Sequence, residues 1–183
     1  MLSKQQQAEV DKYCGVYRLD NYAMGAARKA CAVENLKSVA PTSYLDVGCG
    51  RGEMIAASKE LGFDVSAGAE VVDYLTGGDV VNAPAWDLPF KDGAFDVVSI
   101  FDVIEHLLPG DDEKACRELD RVAAKHVFIT AANYSSCSLG VELHVNKRAY
   151  ADWDQLFKEW FSGRVEWLPR AHGTNSETWH ICK

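Results

Sequence analysis

The sequence predicts an α/β fold built on a parallel sheet, and three observations favour it. From Ser43 onward, apolar segments of strand length alternate with amphipathic segments of helix length, as in successive βαβ units. The first apolar segment runs directly into three alternate glycines. The 183 residues are 48% hydrophobic, enough for one compact core, and no composition shift marks a linker. We therefore expect one domain over residues 1–183.

The amino-terminal segment has a helical pattern. We expect helix from about Lys4 to Leu36, broken near Gly15 and Gly25, because glycine weakens a helix interior. This segment would form a helical lid over residues 1–40, ahead of an α/β core at residues 41–183.

The core shows a strand and helix order that ends in an antiparallel pair. Its apolar runs predict strands, and its amphipathic runs predict helices. The predicted elements are the strand Tyr44–Val47, a strand that follows Gly62 and ends at Glu70, the buried strand Phe95–Phe101, the helix Asp111–Lys125, the strand His126–Thr130, the helix Lys147–Phe161, and the closing strands Arg164–Leu168 and Glu177–Cys182. In the last helix, aromatic and leucine side chains recur at helical spacing, which predicts core packing.

The strand at Tyr44–Val47 leads into a glycine loop. Gly48, Gly50 and Gly52 lack Cβ atoms, so the backbone can turn sharply and a ligand can lie against it. A dinucleotide loop of the form G-x-G-x-x-G needs a third glycine at position 53, which is Glu53. The carboxylate of Asp46 would attract an ammonium or sulfonium group rather than a pyrophosphate.

These residues resemble the class I S-adenosylmethionine-dependent methyltransferases, whose first motif D-x-G-x-G-x-G matches Asp46–Gly52. The run Leu88–Phe90, a turn and Phe95–Val98 is similar to the family's L-P-F and F-D-x-V motifs. The resemblance implies a Rossmann-like, mostly parallel seven-stranded sheet with an antiparallel carboxyl-terminal strand and helices on both faces. It implies S-adenosylmethionine as cofactor and S-adenosylhomocysteine as product. The residues expected to hold the cofactor are Asp46, Gly48, Cys49, Gly50, Gly52, Glu70, Val71, Ala85, Trp86, Phe101 and Asp102.

Two of these assignments concern the nucleoside. Glu70 lies about twenty residues past the glycine loop, where a carboxylate holds a ribose diol, with Asp73 as the alternative. The family usually has an acid four positions before the L-P-F leucine for the adenine amino group, and this chain has Pro84 there. We therefore assign the adenine contact to the backbone of Ala85 and Trp86, with the side chain of Trp86 or Asp87 as a further partner.

The segment after the buried strand, D-x-x-E-H, resembles the E-x-x-E-H motif of metal-assisted O-methyltransferases acting on ubiquinone precursors and on the 3′ ends of small RNAs. On a helix, Asp102, Glu105 and His106 would share one face. His144 follows the fifth strand, as a further histidine does in the small-RNA group. These four residues are the candidate metal ligands, although we expect no metal, because Glu-His is common here in metal-free enzymes. His106 and His144 are the candidate catalytic bases, because imidazole titrates near neutrality.

Composition excludes several classes of function. The formal net charge of −8 argues against an extended nucleic-acid surface, because such binding depends on Lys and Arg. No apolar run approaches about 18 residues, so we expect no membrane span and a soluble, cytoplasmic protein. Six dispersed cysteines without a C-x-x-C pair indicate neither a disulfide framework nor a zinc cluster. Cys49 is expected to fill space rather than act as a nucleophile.

The sequence therefore predicts methyl transfer from S-adenosylmethionine to an oxygen or nitrogen atom of a small acceptor by in-line displacement. The alternatives are a non-catalytic cofactor-binding subunit or sensor, a metal-assisted hydroxyl methyltransferase acting on RNA or a catechol-like acceptor, and a nicotinamide oxidoreductase. Acceptor specificity should come from residues 131–146 and from the amino-terminal segment. In that segment the candidates are Tyr13, Tyr17, Tyr22 and Arg28. The identity of the acceptor and the oligomeric state are not predicted.

Overall fold

The computed structural model describes residues 2–19 and 22–183. Helix α1 spans Lys4–Val16, and Ser3 caps it through a reciprocal capping box with Gln6. Helix α2 spans Ala26–Val39. The predicted interruptions near Gly15 and Gly25 are thus observed, while Asp20 and Asn21, inside the predicted helical segment, lie outside the described residues, as does Met1.

The core continues with strands and helices in alternation. Its elements are β1 (Ser43–Val47), α3 (Glu53–Glu60), β2 (Val65–Glu70), β3 (Val80–Asn82), β4 (Phe95–Ile100), α4 (Asp111–Val122), β5 (Ala123–Ala131), β6 (Cys137–Ser138), β7 (Val141–Glu142), α5 (Tyr150–Trp160), β8 (Arg164–Trp167) and β9 (Glu177–Cys182). Short 3₁₀ turns at Asp73–Leu75 and Ile104–His106 follow β2 and β4. The short strand β3 and the β6–β7 hairpin are not among the elements that the sequence predicts.

The main sheet has seven strands in the order β3-β2-β1-β4-β5-β9-β8. The first five strands in this order, from β3 through β2, β1 and β4 to β5, pair in parallel with their neighbours. Strand β9 runs antiparallel to both β5 and β8. This confirms the predicted parallel sheet with its antiparallel closing pair. Parallel pairing brings the carboxyl ends of β1, β2 and β4 to one edge, the edge at which ligands bind in open α/β sheets.

Buried apolar clusters cover both faces of this sheet. One cluster joins the sheet to α4 and α5, where Trp153, Phe157 and Trp160 are buried. The aromatic pattern of the last helix therefore packs in the core, as predicted. The other cluster joins α2 and α3 to the sheet through Leu36, Tyr44 and other side chains. In the described ranges no helix combines the length and apolar character that a membrane crossing requires.

Two local predictions are wrong. Helix α4 ends at Val122 rather than Lys125, because β5 begins at Ala123 and pairs with β4 there. The segment after β4 is not a regular helix. Asp102 has a positive φ of 56° and its backbone N–H donates to Thr130 Oγ1 at 2.7 Å. Asp102 therefore does not share a helix face with Glu105 and His106.

Candidate functional site

The glycine loop (residues 48–52) needs glycine for two separate reasons. Gly48, Gly50 and Gly52 all have positive φ, at 71°, 52° and 77°, where a side chain is strained. A Cβ on Gly48 would also lie 2.5 Å from Val103 Cγ2, and a Cβ on Gly50 would lie 2.5 Å from the Tyr17 hydroxyl. The loop backbone is therefore in close contact with both the segment after β4 and the amino-terminal lid.

Asp46 is a buried carboxyl at the end of β1. Its Oδ1 accepts a hydrogen bond from Ser99 Oγ at 2.6 Å, and the Tyr44 hydroxyl lies 2.6 Å from the same Ser99 oxygen. Burial raises the pKa of Asp46 to about 7, although both hydroxyls oppose this. A carboxylate that is costly to ionise in a buried site gains from a nearby cation.

Glu70 is held in place by the main chain. Its Oε2 accepts from Gly50 N–H at 2.8 Å, and its Oε1 accepts from the N–H groups of Val71 at 2.9 Å and Val72 at 3.0 Å. Burial raises the pKa of Glu70, and these three N–H donors work against that rise. Because a carboxylate has roughly four acceptor positions, one is left for a hydroxyl group of a ligand.

Two cavities open beside the glycine loop. The first lies between α1 and the ends of β2, β3 and β4. Its lining includes Gln6, Val10, Tyr13, Glu70, Val71, Ala85, Trp86, Leu107 and Asp111. Trp86 is half-buried and faces this cavity. The second cavity is lined by Asp46, Cys49, Gly50, Phe101, Arg28, Tyr134, Ser136 and His144, among others.

The two cavities share a wall. Both are lined by Tyr17, Tyr22, Gly48, Asp102, Val103 and His106. Every residue predicted to hold the cofactor thus borders one cavity or both, except Gly52, which caps the start of α3. Cys49 packs towards Gly68, and burial raises the pKa of its thiol, in agreement with its predicted filling role.

Asp102 joins three parts of the chain. Its Oδ2 forms an ion pair with Arg28 of α2 at 2.7 Å, and its Oδ1 accepts from Thr130 and Ser176 at 3.2 and 3.1 Å. Arg28, one of the four candidates predicted in the amino-terminal segment, therefore connects the lid to the end of β4.

Glu105, His106 and His144 form a compact group, the histidine cluster. One possible ligand atom from each lies within 4.8 Å of the others, and the two imidazole rings are 4.7 Å apart between centroids. Glu105 is fully buried; its Oε1 accepts from Ala132 N–H at 3.2 Å, while its Oε2 has no hydrogen-bond partner among the described residues. Burial, together with the charge of Asp102, raises the pKa of Glu105 well above its usual range.

The contacts of the two rings differ. His144 Nδ1 lies 2.6 Å from Tyr134 O, and because a carbonyl oxygen only accepts, this contact places the proton on Nδ1 and leaves a lone pair on Nε2. His106 Nδ1 lies 3.0 Å from Leu143 O and also contacts the Tyr13 hydroxyl, which can either donate or accept, so these contacts fit either tautomer of His106. Burial lowers the pKa of His106 to about 4 and also lowers the pKa of His144. Both rings are therefore neutral near pH 7.

The lid contacts this cluster directly. Tyr13 Oη lies 2.5 Å from His106 Nδ1 and donates to Leu143 O at 3.2 Å. Burial raises the pKa of Tyr13 far above neutrality, so it remains a neutral phenol. Tyr13, Tyr17, Tyr22 and Arg28, the predicted lid residues, all border the cavities.

A supporting network was not predicted. Asn146 N–H donates to Glu105 O at 3.0 Å, and its side chain donates to buried Asp112 at 2.8 Å. Arg148 pairs with the same carboxylate at 2.5 Å and lies over the Trp153 ring. These contacts attach the segment that carries His144 to the start of α4. No sequence motif marks these contacts. The only local signal is the opposite charge of Asp112 and Arg148, each of which lies beside the start of an amphipathic helix.

Comparisons with known proteins agree with this geometry. The methyltransferase domain family matches residues 45–130. Norajmaline N-methyltransferase of Rauvolfia serpentina is 32% identical over a region covering 54% of this chain and 38% of that enzyme. The chain therefore spans well under half the length of that curated relative.

Solved structures share the fold. The 1,6-didemethyltoxoflavin-N1-methyltransferase of Burkholderia thailandensis, with bound 1,6-didemethyltoxoflavin and S-adenosylhomocysteine, has a TM-score of 0.73 at 16% identity and covers 100% of this chain and 91% of its own. The PH0226 protein of Pyrococcus horikoshii OT3 has a TM-score of 0.70 at 16% identity, covering 92% and 98%. Its D-x-G-x-G-x-G loop, its strand order and the match of residues 45–130 to the methyltransferase domain family make this chain similar to the class I S-adenosylmethionine-dependent methyltransferases.

Proposed function

We propose that this chain transfers the methyl group of S-adenosylmethionine to a nitrogen atom of a small-molecule amine. The observation that carries the proposal is the wall shared by the two cavities, where Gly48 and Asp102 meet the neutral imidazole of His106. A cofactor lying along the glycine loop would have its sulfonium at this wall. The acceptor would then approach from the second cavity, beside the histidine cluster.

The cofactor assignment rests on charge and on hydrogen-bonding capacity. Asp46 would stabilise the ammonium or the sulfonium group, because a cation offsets the cost of ionising a buried carboxyl. Glu70 would accept from a ribose hydroxyl through its remaining acceptor position. Val71, Ala85 and Trp86 would enclose the adenine.

The reaction needs orientation and a route for one proton. The acceptor nitrogen attacks the methyl carbon in line with the sulfur; the N–C bond forms as the S–C bond breaks, and the electron pair stays on sulfur. Holding the two reactants in line contributes much of the acceleration. The proton lost by the amine would pass to the unprotonated ring nitrogen of His106 or His144, both of which are neutral near pH 7.

The names of two similar proteins favour nitrogen as the acceptor atom. Norajmaline N-methyltransferase and 1,6-didemethyltoxoflavin-N1-methyltransferase are both named for transfer to nitrogen of a small molecule. The four tyrosines at the cavities and the net charge of −8 are also suited to a basic amine rather than to an anionic polymer.

The test has a binding step and a transfer step. S-adenosylmethionine and S-adenosylhomocysteine should raise the melting temperature, whereas NAD should not, because a ligand selective for the folded state stabilises it. Amine-rich metabolite fractions are then incubated with methyl-labelled cofactor and analysed by mass spectrometry for products heavier by one methyl group. Binding without transfer to any fraction would favour a non-catalytic sensor, and stabilisation by NAD alone would contradict the cofactor assignment.

The histidine cluster supports a second candidate, metal-assisted methylation of a hydroxyl group. Glu105 Oε2 has no hydrogen-bond partner among the described residues, and it lies in a group with two neutral imidazoles. A proton on Glu105, whose pKa burial raises, or a cation between the three groups would satisfy this oxygen. Glu105, His106 and His144 would hold the ion, which would lower the pKa of a bound hydroxyl group. Asp102 lies outside this group because it pairs with Arg28.

Calorimetric titration separates the two candidates. Mg²⁺, Mn²⁺ and Zn²⁺ are titrated in turn into the chain and into the Glu105→Gln variant. Heat of binding that disappears in the variant would support the metal-assisted reaction. Absence of binding by all three ions, with methyl transfer intact in the presence of a chelator, would contradict it.

A further inference from the structure

Two histidines that the proposed reaction does not use face each other on one face of the sheet. His126 Nδ1 in β5 lies 3.0 Å from His180 Nε2 in β9. The two are diagonal neighbours, because the strand register pairs His126 with Cys182 and His180 with Phe128. Both rings are half-buried, and neither residue lines either of the two cavities. The pair is therefore separate from the site described above.

Both imidazoles can present a lone pair to the gap between them. The His180 ring is held by stacking on Phe128, with 4.5 Å between ring centroids and 12° between ring planes. Burial lowers the pKa of both histidines, so both rings are neutral near pH 7 and each has one N–H and one lone pair. One facing nitrogen donates to the other. Transfer of that proton to the far nitrogen of the same ring leaves two facing lone pairs, with no change in net charge.

The spacing of the two nitrogens fits adjacent ligands of one metal ion. At a metal–nitrogen distance of ~2.0–2.1 Å, nitrogens 3.0 Å apart subtend roughly 95° at the metal. A tilt of the rings is needed to direct both lone pairs at one ion. The angle is smaller than the tetrahedral angle that zinc prefers, and it is close to the right angle of the tetragonal sites that Ni²⁺ and Cu²⁺ adopt with nitrogen and oxygen ligands.

A carboxylate on the edge strand can supply the oxygen ligand. Glu166 pairs with His180 in the register of β8 and β9, so the two side chains are on the same face of the sheet. Glu166 forms an exposed ion pair with Arg164 at 3.4 Å. Because such an exposed pair is weak, the carboxylate can turn from Arg164 towards the histidines. Water would occupy the remaining ligand positions on this partly exposed surface.

We propose that His126 Nδ1, His180 Nε2 and the Glu166 carboxylate form a site for a divalent late transition-metal ion, Ni²⁺ or Cu²⁺ before Zn²⁺. Mg²⁺ does not fit, because it prefers oxygen ligands alone. The ion links β5 to β9 and β8, and so fastens the closing antiparallel strands to the parallel part of the sheet. His126 is near the amino end of β5, away from the edge at which the cavities open. The inference does not depend on the proposed function.

Calorimetric titration of Ni²⁺ into the chain without an affinity tag tests the site. Ni²⁺ is the probe because Cu²⁺ oxidises free thiols, and Cys182 lies on the same face. His126→Asn and His180→Gln each keep a hydrogen-bonding amide near the ligating nitrogen but remove the imidazole. Each should weaken Ni²⁺ binding at this site at least ~10-fold. The control is His172→Asn, at an exposed position in the β8–β9 loop, which should leave binding unchanged. Absence of Ni²⁺ binding, or unaltered isotherms in both variants, would overturn the proposal.

Two further measurements separate this site from the histidine cluster. Glu105→Gln should retain the Ni²⁺ binding that His126→Asn loses, and the reverse pattern would overturn the proposal. The second measurement uses the unmodified chain and requires no variant to fold. Paramagnetic Ni²⁺ should broaden the backbone amide signals near His126 and His180 in a nuclear magnetic resonance spectrum. Broadening confined to the histidine cluster would contradict the assignment.

Discussion

The glycine loop and the histidine cluster both border the second cavity, and they are built in different ways. The loop is one continuous segment whose backbone conformation requires glycine at positions 48 and 50. The cluster takes its side chains from two distant segments and is contacted by a third, through Tyr13 of the lid. Under the proposed function, a local segment would hold the cofactor, whereas tertiary packing assembles the groups that would lie next to the acceptor. Changes in the loop should therefore affect binding, and changes in the cluster should affect turnover.

The largest expected effect is that of Gly48→Ala. The new Cβ would lie 2.5 Å from Val103 Cγ2 at a positive φ, so S-adenosylhomocysteine affinity should fall at least ~100-fold as the loop shifts. Gly62→Ala is the matched control, because Gly62 also has a positive φ but meets nothing within 4 Å. Each change should cost roughly 1–2 kcal/mol of folding free energy from backbone strain. Calorimetry showing near-normal affinity for Gly48→Ala would contradict the assigned loop.

The next largest effect is expected from His106→Ala, which tests the histidine cluster. Loss of a general base should lower turnover about 100-fold while the affinity for S-adenosylhomocysteine stays within about twofold. His172→Ala, at an exposed position in the β8–β9 loop, is the control. Initial rates with labelled cofactor provide the measurement. If His106→Ala and His144→Ala both turn over normally, neither histidine is the base.

The pH dependence of cofactor binding is a smaller effect, and it tests Asp46 beside the glycine loop. The pKa of Asp46 is raised to about 7 by burial, and a cationic ligand favours the ionised form. S-adenosylmethionine affinity should therefore be highest above pH 7 and weaken by up to about tenfold for each pH unit below it. Calorimetry in buffers of different ionisation enthalpy should detect proton release on binding near pH 6. A flat profile between about pH 6 and 8, or the same profile in Asp46→Asn, would remove Asp46 from this role.

The smallest effect is expected from Tyr13→Phe, which links the lid to the histidine cluster. The change removes the hydroxyl that contacts His106 Nδ1 and Leu143 O, a loss of about 1 kcal/mol or roughly fivefold in turnover. Tyr150→Phe removes a comparable hydroxyl contact, to Asn175 O, far from the cavities. Equal rates in the two variants would show that Tyr13 does not position His106.

The same contrast explains what could be predicted from the sequence. The turn at the glycine loop and the alternation of strands and helices depend on patterns within short segments, so the sequence predicts them. The cofactor roles of the loop and of Glu70 stay predictions. The ion pair of Arg28 with Asp102 and the contact of Tyr13 with His106 join residues 74 and 93 positions apart. Such contacts follow from how the lid packs on the sheet, and no local pattern encodes them.

The shared helix face expected for Asp102, Glu105 and His106 fails for the same reason. D-x-x-E-H has helical spacing, but Thr130 on the neighbouring strand bonds both the backbone and the side chain of Asp102. A tertiary contact thus overrides local spacing and holds Asp102 in a left-handed conformation. No local motif predicts the contacts of Asp112 with Asn146 and Arg148 either, because they join residues 34 and 36 positions apart.

Helix α1 and the residue that follows it border the two cavities. Its residues cover the first cavity, and Tyr17, just past its end, borders both. Lys12 fastens it to the hairpin, and Tyr74 donates to Cys14 O on the opposite flank. Under the proposed function, displacing this helix would uncover the nucleoside, and the accompanying movement of Tyr17 would widen the acceptor cavity as well. We therefore expect departure of the spent donor and of the modified acceptor to be coupled.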